Sequence, residues 1–440
     1  MRTQFRKIHN SLPIFSIIEN DNTIYYTPGE SRIFPTKLLN GLVDISDYTK
    51  FENVTSLIRN EITQLIRTSE ISEKKWNDLF QRGFSPECLT IYPGNACNLN
   101  CRYCYVKEKD DKTIDKEFVS AAVEYVAKYC AHDKRTFYLV FHGGGEPTFH
   151  WSFLQDLYYI VHKICLKYKV PVFSYIATNG IFSEKQAEWL AKHFNRIGVS
   201  CDGFPEINNS QRPSSSPELT STILKKNIYS LSELNDNIDI RVTITPQSML
   251  YMEKIAEYCI DDLHIKNIRM EPVYSCDDQG FRFEDAETYA THFINASDIA
   301  RKSGVNVSYS GVRINEIHSS YCDVLRNTIR ITPENEIINC FFDSSSKIAE
   351  TKYNIIGSLV NNCFEVNYNQ VQKIKEVLQN IPVTCRECIN IYHCSRACPE
   401  ICLLSKNEKN KTDLTNNFRC LLNKEFAIRL IKEQANNSNQ

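Results

Sequence analysis

The central part of the chain alternates short apolar runs with longer amphipathic ones. Between Leu89 and Gly304 the apolar runs predict strands at Leu89–Tyr92, Phe137–Phe141, Val172–Ala177, Ile197–Cys201, Ile238–Thr245 and Ile268–Val273. The amphipathic runs predict helices at Asp115–Cys130, Trp151–Tyr168, Glu184–Phe194, Glu218–Leu234, Ser248–Asp262 and Glu284–Lys302. Alternation of this kind indicates an α/β fold with a parallel sheet, for which a partial barrel is a natural closure. The polar stretch 204–217 is expected to be a loop at the mouth of that barrel.

Residues 1–87 form a different pattern, typical of a small α+β module. Its predicted elements are a hairpin of Pro13–Ile18 with Thr23–Thr27, and helices at Phe51–Arg67 and Glu73–Gln81, the second capped by Ser72. A module of this size is either a winged-helix-like unit that binds a leader peptide or a cap on the next domain. Both interpretations stay open at this point.

Length and composition restrict the class of protein. A chain of 440 residues suits two or three domains, and we expect boundaries at 1–87, 88–304 and 305–440. A formal net charge of −2 gives no broad electrostatic footprint for nucleic acid. The chain has no apolar run of membrane-spanning length and no secretory signal pattern at its start, so we expect a cytoplasmic protein without membrane contact.

The cysteines change this picture. The chain has 18 of them, and twelve fall within 97–104 and 322–420. Clustered thiols in a reducing compartment indicate metal binding rather than a disulfide framework. The first cluster reads Cys97-x3-Cys101-x2-Cys104, just after a predicted strand. Because an ordinary [4Fe–4S] cluster takes four cysteines, three on one loop suggest an iron left open to another molecule. A zinc loop is the alternative.

This loop resembles the signature C-x3-C-x-aromatic-C of the radical S-adenosylmethionine (radical SAM) enzymes, with Tyr103 at the aromatic position. The resemblance implies a partial (β/α)6, TIM-like barrel and a [4Fe–4S] cluster. In that family the open iron chelates the amino-acid end of S-adenosylmethionine (AdoMet). The resemblance therefore gives the three cysteines both a metal-binding and a catalytic role.

Three further segments resemble cofactor motifs of the same family. His142-Gly-Gly-Gly-Glu-Pro147 follows the second strand, and the resemblance places Gly144, Gly145 and Glu146 beside the AdoMet amino group. The strand-end segments 177–180 and 200–203 resemble motifs near the ribose and carboxylate, which implicates Asn179 and Ser200. Arg212 and Arg241 are predicted carboxylate partners, since guanidinium pairs with that group in a bidentate way. Helix caps and surface ion pairs are the ordinary alternatives for these last four residues.

The distal cysteines resemble the SPASM domain, the auxiliary-cluster module of radical SAM maturases. The resemblance implies one auxiliary [4Fe–4S] cluster on Cys385, Cys388, Cys394 and Cys420. It implies a second on Cys322, Cys340 and Cys398. Residues 311–321, where some relatives supply a fourth ligand, contain no cysteine, so an iron left open, with substrate as a candidate ligand, is one expectation. His318 is the only soft ligand there, and Cys363 or Cys402 are other choices. Asn335 stands where the family has glycine, and Asn tolerates the left-handed backbone that such a turn requires. A zinc ribbon is the alternative for this array.

The resemblance implies an oxidoreductase that cleaves AdoMet reductively and modifies a ribosomally made precursor peptide, with side-chain crosslinking by C–C or thioether bonds as the first hypothesis. An external flavodoxin- or ferredoxin-type protein would supply the electron. A peptide epimerase, with Cys201 or Cys276 as hydrogen donor, is an alternative. An anaerobic sulfatase-maturating enzyme is another, although Phe341 and Phe342, not an acidic residue, follow Cys340. The non-enzymatic alternative is an iron–sulfur electron carrier.

Overall fold

The computed structural model describes most of the chain. The described residues are 5–19, 21–36, 44–50, 55–106, 109–214, 219–274, 280–318, 327–339, 355–360, 363–379, 381, 383–394 and 418–438. Cys322, Cys340 and Cys398 of the predicted auxiliary site lie outside them, as do Cys276 and Cys402.

The N-terminal residues form an antiparallel sheet followed by one long helix. The strands, in sheet order, are β1 Phe5–Lys7, β2 Phe15–Glu19, β3 Asn22–Thr27 and β4 Glu30–Pro35. A 3-10 turn covers Ile45–Lys50, and helix α1 covers Ser56–Gln81. The predicted hairpin is confirmed as β2 and β3.

The prediction of two helices in this module is wrong, because α1 is continuous. No Pro or Gly interrupts residues 56–81, so the backbone has no reason to break. Thr55 caps the helix by accepting a hydrogen bond from the Ile58 amide. Ser72 lies inside the helix, and its hydroxyl donates to the Pro28 carbonyl at 2.8 Å instead of capping.

The central sheet contains the six predicted parallel strands and two more. The strands are β5 Cys88–Ile91, β6 Phe137–Phe141, β7 Val172–Thr178, β8 Arg196–Ser200, β9 Ile238–Ile244, β10 Asn267–Pro272, β11 Asn306–Ser308 and β12 Thr328–Ile331. Their spatial order is β11-β10-β9-β8-β7-β6-β5-β12. β11 and β12 lack sequence signals of their own, since one is three residues long and the other begins a cysteine-rich region.

Helices cover the outer face of this sheet. They are α2 Lys116–Asp133, α3 Trp151–Lys167, α4 Glu184–His193, α5 Pro205–Gln211, α6 Thr220–Ser232, α7 Met252–Glu257 and α8 Asp285–Lys302. Strand residues such as Leu139, Ile240 and Met270 are fully buried against them in the main core. The residues between these positions in each strand therefore face the opposite side of the sheet.

Two predicted segments differ in detail. The polar stretch 204–217 contains the short helix α5, which starts with Pro205 at its first position. The helix predicted at Ser248–Asp262 consists of a 3-10 turn Met249–Tyr251, α7, and a π-helical turn Tyr258–Asp262.

The C-terminal residues extend the central sheet and return to the N-terminal module. The elements are β13 Glu336–Ile338, β14 Ile355–Val360, β15 Cys363–Val366, α9 Tyr368–Gln379, α10 Val383–Arg386 and α11 Phe418–Ser438. Strands β13 to β15 continue the sheet from β12 in antiparallel order. Within the described residues, no helix combines the length and the apolarity that crossing a membrane requires.

The N-terminal sheet packs on the C-terminal region. Phe15, Ile17 and Tyr26 share a buried cluster with residues of 389–392 and with Ile428 and Ile431 of α11. The Trp76 indole donates to the His318 carbonyl at 3.0 Å. The buried Tyr26 hydroxyl is hydrogen-bonded to Nε2 of His393, next to Cys394. The module is thus held against the region that carries the predicted auxiliary-cluster cysteines.

The turn between β12 and β13 tests the substitution of glycine by Asn335. Asn335 has φ 61°, and its amide donates to the Thr332 carbonyl at 2.9 Å. The predicted left-handed conformation is confirmed. The left-handed conformation costs a residue with a branched Cβ far more conformational free energy than it costs glycine.

Asn335→Gly should therefore leave the melting temperature unchanged or raise it, whereas Asn335→Val should destabilise the protein by about 1–2 kcal/mol. Thermal unfolding of the three proteins measures the difference. Equal melting temperatures for the glycine and valine variants would contradict the conformational argument.

Candidate active site

Three cysteines lie on the loop that follows β5. Cys97, Cys101 and Cys104 are half-buried, and none is in a disulfide. The Cys104 amide donates to the Cys101 carbonyl at 3.1 Å, which closes a tight turn. Burial, together with the nearby charge of Glu146, raises the pKa of the Cys97 thiol to about 11. Deprotonation of such a thiol needs a strong cationic partner, which a metal cluster supplies.

Polar groups surround the sulfurs of this loop. The Leu99 amide is 3.5 Å from Sγ of Cys97, and Nδ2 of Asn179 is 3.9 Å from the same sulfur. Nη1 of Arg212 is 4.0 Å from Sγ of Cys101. Donors at these positions stabilise thiolate and tune a cluster that the thiolates hold.

The glycine turn after β6 packs directly on the backbone that leads into the cysteine loop. The Gly145 amide donates to the Gly94 carbonyl at 2.9 Å, and the Glu146 amide donates to the Ala96 carbonyl at 2.8 Å. A Cβ on Gly145 would lie 2.0 Å from the Ala96 oxygen. Gly144 has φ 66°, and a Cβ there would lie 2.8 Å from the Gly94 oxygen. The glycines are therefore required for the contact between the two loops.

The Glu146 carboxylate is buried and fully engaged by protein groups. It accepts hydrogen bonds from the Thr148 amide and hydroxyl, from the Thr178 hydroxyl at 2.7 Å and from the Asn179 amide at 2.7 Å. Burial raises the pKa of Glu146, and these hydrogen bonds oppose the rise. The side chain thus ties the end of β6 to the end of β7, and it orients Asn179 toward Cys97.

Arg212 belongs to a buried ion-pair network behind the loop. Its Nε is 3.0 Å from Oδ2 of Asp202, an oxygen that also accepts from the Tyr103 hydroxyl at 2.6 Å. Nε2 of the Gln211 side chain donates to the same oxygen at 2.8 Å. Burial lowers the pKa of Arg212, but the charge of Asp202 outweighs that and the net shift is upward. Removal of one partner of such a pair costs about 3–5 kcal/mol.

Backbone hydrogen bonds also join the C-terminal end of α5 and the residues that follow it to the cysteine loop. The Asn100 amide donates to the Pro213 carbonyl at 2.9 Å, and the Arg102 amide donates to the Gln211 carbonyl at 3.0 Å. Asp202 and Gln211 were missed from the sequence as site residues. Asp202 lies within the segment 200–203 that the motif identified, whereas Gln211 has no sequence signal.

The other predicted cofactor residues are placed differently. Ser200 ends β8 and is in register with Arg241 of β9. Nη1 of Arg241 lies 3.3 Å from Nε2 of His142 and 3.4 Å from the Tyr175 hydroxyl. The structure thus brings Tyr103, Asn179 and Arg212 to the cysteine loop and groups Arg241 with His142 and Tyr175 instead.

A second group of thiols gathers in the C-terminal region. Burial, with smaller effects of the neighbouring Cys420 and Cys385, raises the pKa of the Cys388 thiol to about 12. Burial also raises the pKa of the Cys394 thiol, and the neighbouring Cys388 and Cys420 contribute to the rise. These four cysteines come from two separate segments, 385–394 and α11, and their charges affect one another, which places them in one neighbourhood. They remain predicted cluster ligands. Nδ2 of Asn423 lies 3.6 Å from Sγ of Cys394.

Both cysteine groups fit iron–sulfur clusters by donor chemistry. Within the described part of the chain, no three Cys, His, Asp or Glu side chains surround a point that a single metal ion would fill. Thiols are the donors that iron–sulfur clusters take, with one thiolate on each iron atom of a cubane. His318, the soft ligand noted upstream, is 2.9 Å from Glu316.

The isolated cysteines lie in the core. Cys130, Cys165 and Cys259 are fully buried, as expected for thiols that act as small apolar side chains. Cys201 is also buried, and its thiol donates to the Gly203 carbonyl at 3.5 Å.

Comparison with known proteins agrees with this geometry. Residues 91–259 match the Radical SAM superfamily model. An uncharacterized protein of Methanocaldococcus jannaschii is 30% identical over 174 residues, which cover 39% of this chain and 58% of the relative. A second, from Methanothermobacter thermautotrophicus, is 29% identical over 124 residues, covering 28% and 46%. The chain thus spans about half the length of the curated relatives that it matches.

The solved structures of anSMEcpe are similar in fold. The form with bound AdoMet has a TM-score of 0.61 and 18% identity, covering 80% of this chain and 100% of that chain. The form with AdoMet and the Cp18Cys peptide has a TM-score of 0.60 and 18% identity, covering 80% and 99%. The similarity thus extends well beyond residues 91–259.

Residues 91–259 thus carry a radical SAM domain, as the cysteine loop predicted. That family uses AdoMet and a [4Fe–4S] cluster. The predicted α/β fold class, with a parallel sheet in the radical SAM core, is confirmed.

Gly145→Ala is expected to push the Ala96 backbone away and to reduce the iron held by the cysteine loop. The overlap is with backbone, so overpacking should cost about 1–3 kcal/mol. Gly83→Ala is the matched control, because no atom lies within 4 Å of its added Cβ. Iron per chain and melting temperature are measured after anaerobic reconstitution. Equal iron in the two variants would contradict the proposed packing role.

Proposed function

We propose that this protein is a radical SAM maturase that modifies a ribosomally made peptide oxidatively, with crosslinking of side chains as the preferred reaction. The observation that carries the proposal is the three-thiol loop, which is bonded to the glycine turn on one side and to the Asp202–Arg212 pair on the other. This arrangement presents three thiols that are free of disulfides, with hydrogen-bond donors beside Cys97 and Cys101.

In this proposal Cys97, Cys101 and Cys104 hold the [4Fe–4S] cluster of the radical SAM site. When bound, the cluster and AdoMet supply one electron and a 5′-deoxyadenosyl group that abstracts a hydrogen atom from an unactivated carbon. Asn179 and Arg212 donate toward the sulfurs of the loop. Arg212, Ser200 and the 144–146 backbone are proposed AdoMet contacts, and Glu146 acts by holding Asn179 in place.

Cys385, Cys388, Cys394 and Cys420 are the proposed ligands of an auxiliary cluster. Cys322, Cys340 and Cys398 remain predicted ligands of a second. Loss of a hydrogen atom from the peptide leaves one further electron and a proton to be removed for a net oxidation. Auxiliary clusters held by these cysteines would supply an acceptor for that electron, and an external one-electron reductant would supply the electron used at Cys97, Cys101 and Cys104.

The peptide as substrate is supported by the fold shared with anSMEcpe, whose structure holds the Cp18Cys peptide. The N-terminal module remains a proposed leader-binding unit, with β1 as the edge strand to which a peptide strand adds. We place the reaction in the cytoplasm, where thiol ligands stay reduced.

Replacement of Cys97, Cys101 and Cys104 together by Ala should reduce AdoMet cleavage to background and remove about four iron atoms per chain. Auxiliary iron should stay bound. Formation of 5′-deoxyadenosine under a reductant is measured by chromatography and mass spectrometry. Cys165→Ala is the matched control, since that thiol is buried in the core. Cleavage retained by the triple variant would refute the assignment of the loop.

Co-expression with a small peptide encoded next to this gene identifies the reaction. Tandem mass spectrometry should find loss of two hydrogens that links two residues. Conversion of Cys or Ser to formylglycine would favour the sulfatase-maturating alternative. Unchanged mass with deuterium uptake from solvent would favour epimerisation. Either result would overturn crosslinking.

Asn423 provides a test of the auxiliary site. Its Oδ1 accepts from the buried Tyr309 hydroxyl at 2.7 Å, which turns Nδ2 toward Sγ of Cys394. A hydrogen bond to a cluster thiolate raises the reduction potential, because it stabilises the added negative charge.

Asn423→Leu should therefore lower the reduction potential of the auxiliary cluster while iron content stays unchanged. Potentiometric titration followed by electron paramagnetic resonance measures the shift. Tyr309→Phe frees the amide to rotate and should produce a smaller shift in the same direction. An unchanged potential in Asn423→Leu, with all iron retained, would remove the assignment of Cys394 as a ligand.

A further inference from the structure

Side chains from three strands meet on the inner face of the central sheet. His142 follows β6, Tyr175 lies on β7 and Arg241 lies on β9, and Nη1 of Arg241 is 3.3 Å from the His142 ring. In a flat sheet β6 and β9 would be about 14 Å apart, at about 4.8 Å per strand. Such a meeting fits a sheet that is curved like a partial barrel, with these residues on its concave face.

Gly198 of β8 makes this meeting sterically feasible. A Cβ there would lie 2.3 Å from the Tyr175 hydroxyl and 3.1 Å from Cδ of Arg241. The two side chains thus occupy the space above β8, and the Arg241 guanidinium is directed across the concave face.

Arg269 of β10 adds a second guanidinium beside it. Arg241 and Arg269 are direct partners in the parallel register and face the same side, opposite the buried Ile240 and Met270. Arg269 is exposed on this face. Like charges in directly opposed positions destabilise a sheet, so the pair has a stability cost.

No carboxylate neutralises this pair within the described residues at ion-pair distance. Asp239, two residues before Arg241 on β9, is paired with Arg196. Glu271 lies two residues beyond Arg269, and it accepts from the Ser310 amide at 2.9 Å. Arg330 of β12 adds a third positive charge and donates to the Asn339 carbonyl at 2.8 Å.

The charges of three arginines are concentrated around His142. Desolvation lowers the pKa of His142, and the charges of Arg241, Arg330 and Arg269 lower it further. His142 is therefore neutral at physiological pH and accepts from Arg241. The face holds fixed guanidinium charge rather than a titrating group, and its charge persists across neutral pH.

We propose that Arg241 and Arg269 bind a carboxylate of the substrate, so that the peptide places an acidic side chain or its C-terminal carboxylate in the concave face of the sheet. The inference rests on the proposed function and names the substrate class. Arg212, the arginine next to Cys101, is left for the AdoMet carboxylate. The acidic group anchors the peptide and so fixes which carbon faces the radical SAM site.

Probe binding to the reconstituted holoprotein with AdoMet present tests the proposal. The probes are N-acetyl-glutamate α-amide, N-acetyl-glutamine with a free α-carboxylate, and the neutral N-acetyl-glutaminamide. Binding is measured by anaerobic calorimetry or ligand-observed NMR. Preference for the first probe indicates an acidic side chain, and preference for the second indicates a C-terminal carboxylate.

Arg269→Gln and Arg241→Gln should each lower the affinity for the preferred acidic probe at least about tenfold, because each variant loses one charge-assisted contact. Arg269 is exposed, so its variant should fold normally; Arg301→Gln, an exposed arginine on α8, is the matched control. The AdoMet affinity of Arg269→Gln should stay unchanged.

Three results would overturn the inference: equal binding of the neutral probe, unchanged binding in both variants, or competition between the acidic probe and AdoMet with parallel loss of AdoMet affinity in Arg241→Gln. The last result would assign these arginines to the cofactor. Because the assay needs no turnover, failure of the proposed maturase activity would appear separately, as absence of 5′-deoxyadenosine in a protein that still binds the acidic probe.

Discussion

The contact between two backbones, Gly143–Gly145 and residues 94–96, is the constraint on which the site depends. The loops that follow β5 and β6 approach so closely that a Cβ on Gly145 would overlap the Ala96 oxygen. Two amide-to-carbonyl hydrogen bonds, at 2.9 Å and 2.8 Å, hold them together. The cysteine loop therefore has a fixed origin before any cofactor binds.

Buried charge stabilises the other side of the loop. The fully buried Asp202 accepts from Tyr103, Gln211 and the Thr243 amide and pairs with Arg212. The carboxylate thus connects the cysteine loop to β9 and to the segment after α5. The Glu146 carboxylate connects the ends of β6 and β7 in the same way, through hydrogen bonds from Thr178 and Asn179. Each of the two carboxylates joins loops from different βα units, so the mouth of the sheet behaves as one structure.

The N-terminal sheet and the C-terminal cysteine region form a second unit. Tyr26 bonds to His393, which directly precedes Cys394, and Trp76 packs on Tyr392 at 4.7 Å between ring centroids. A peptide that binds the N-terminal sheet would thus bind next to the proposed auxiliary cluster. The proposed leader-binding sheet and the proposed electron acceptor are therefore parts of the same packed unit.

Local patterns predicted a large part of this protein. The six strands, most of the helices, the left-handed Asn335 and the spacing of the cysteines follow from periodicity, turn chemistry and short-range sequence, because each concerns residues close together along the chain. Sequence reasoning missed β1, β4, α5 and every element from β11 to the C-terminus. Most of these are too short to produce a periodic signal, whereas the long helix α11 was missed because the cysteine spacing alone was interpreted there. Sequence reasoning also divided α1, where Ser72 resembled a cap.

The sequence by itself determined which side chains are able to bind iron and AdoMet, since three thiols on one loop stay neighbours in any fold. Only the tertiary structure decided which distant residues join them. Asp202 reaches Tyr103, Asn423 reaches Cys394, and Arg241 reaches His142 because of strand order and sheet curvature. Those properties arise from the packing of the whole sheet, which no local pattern of apolar and polar residues encodes.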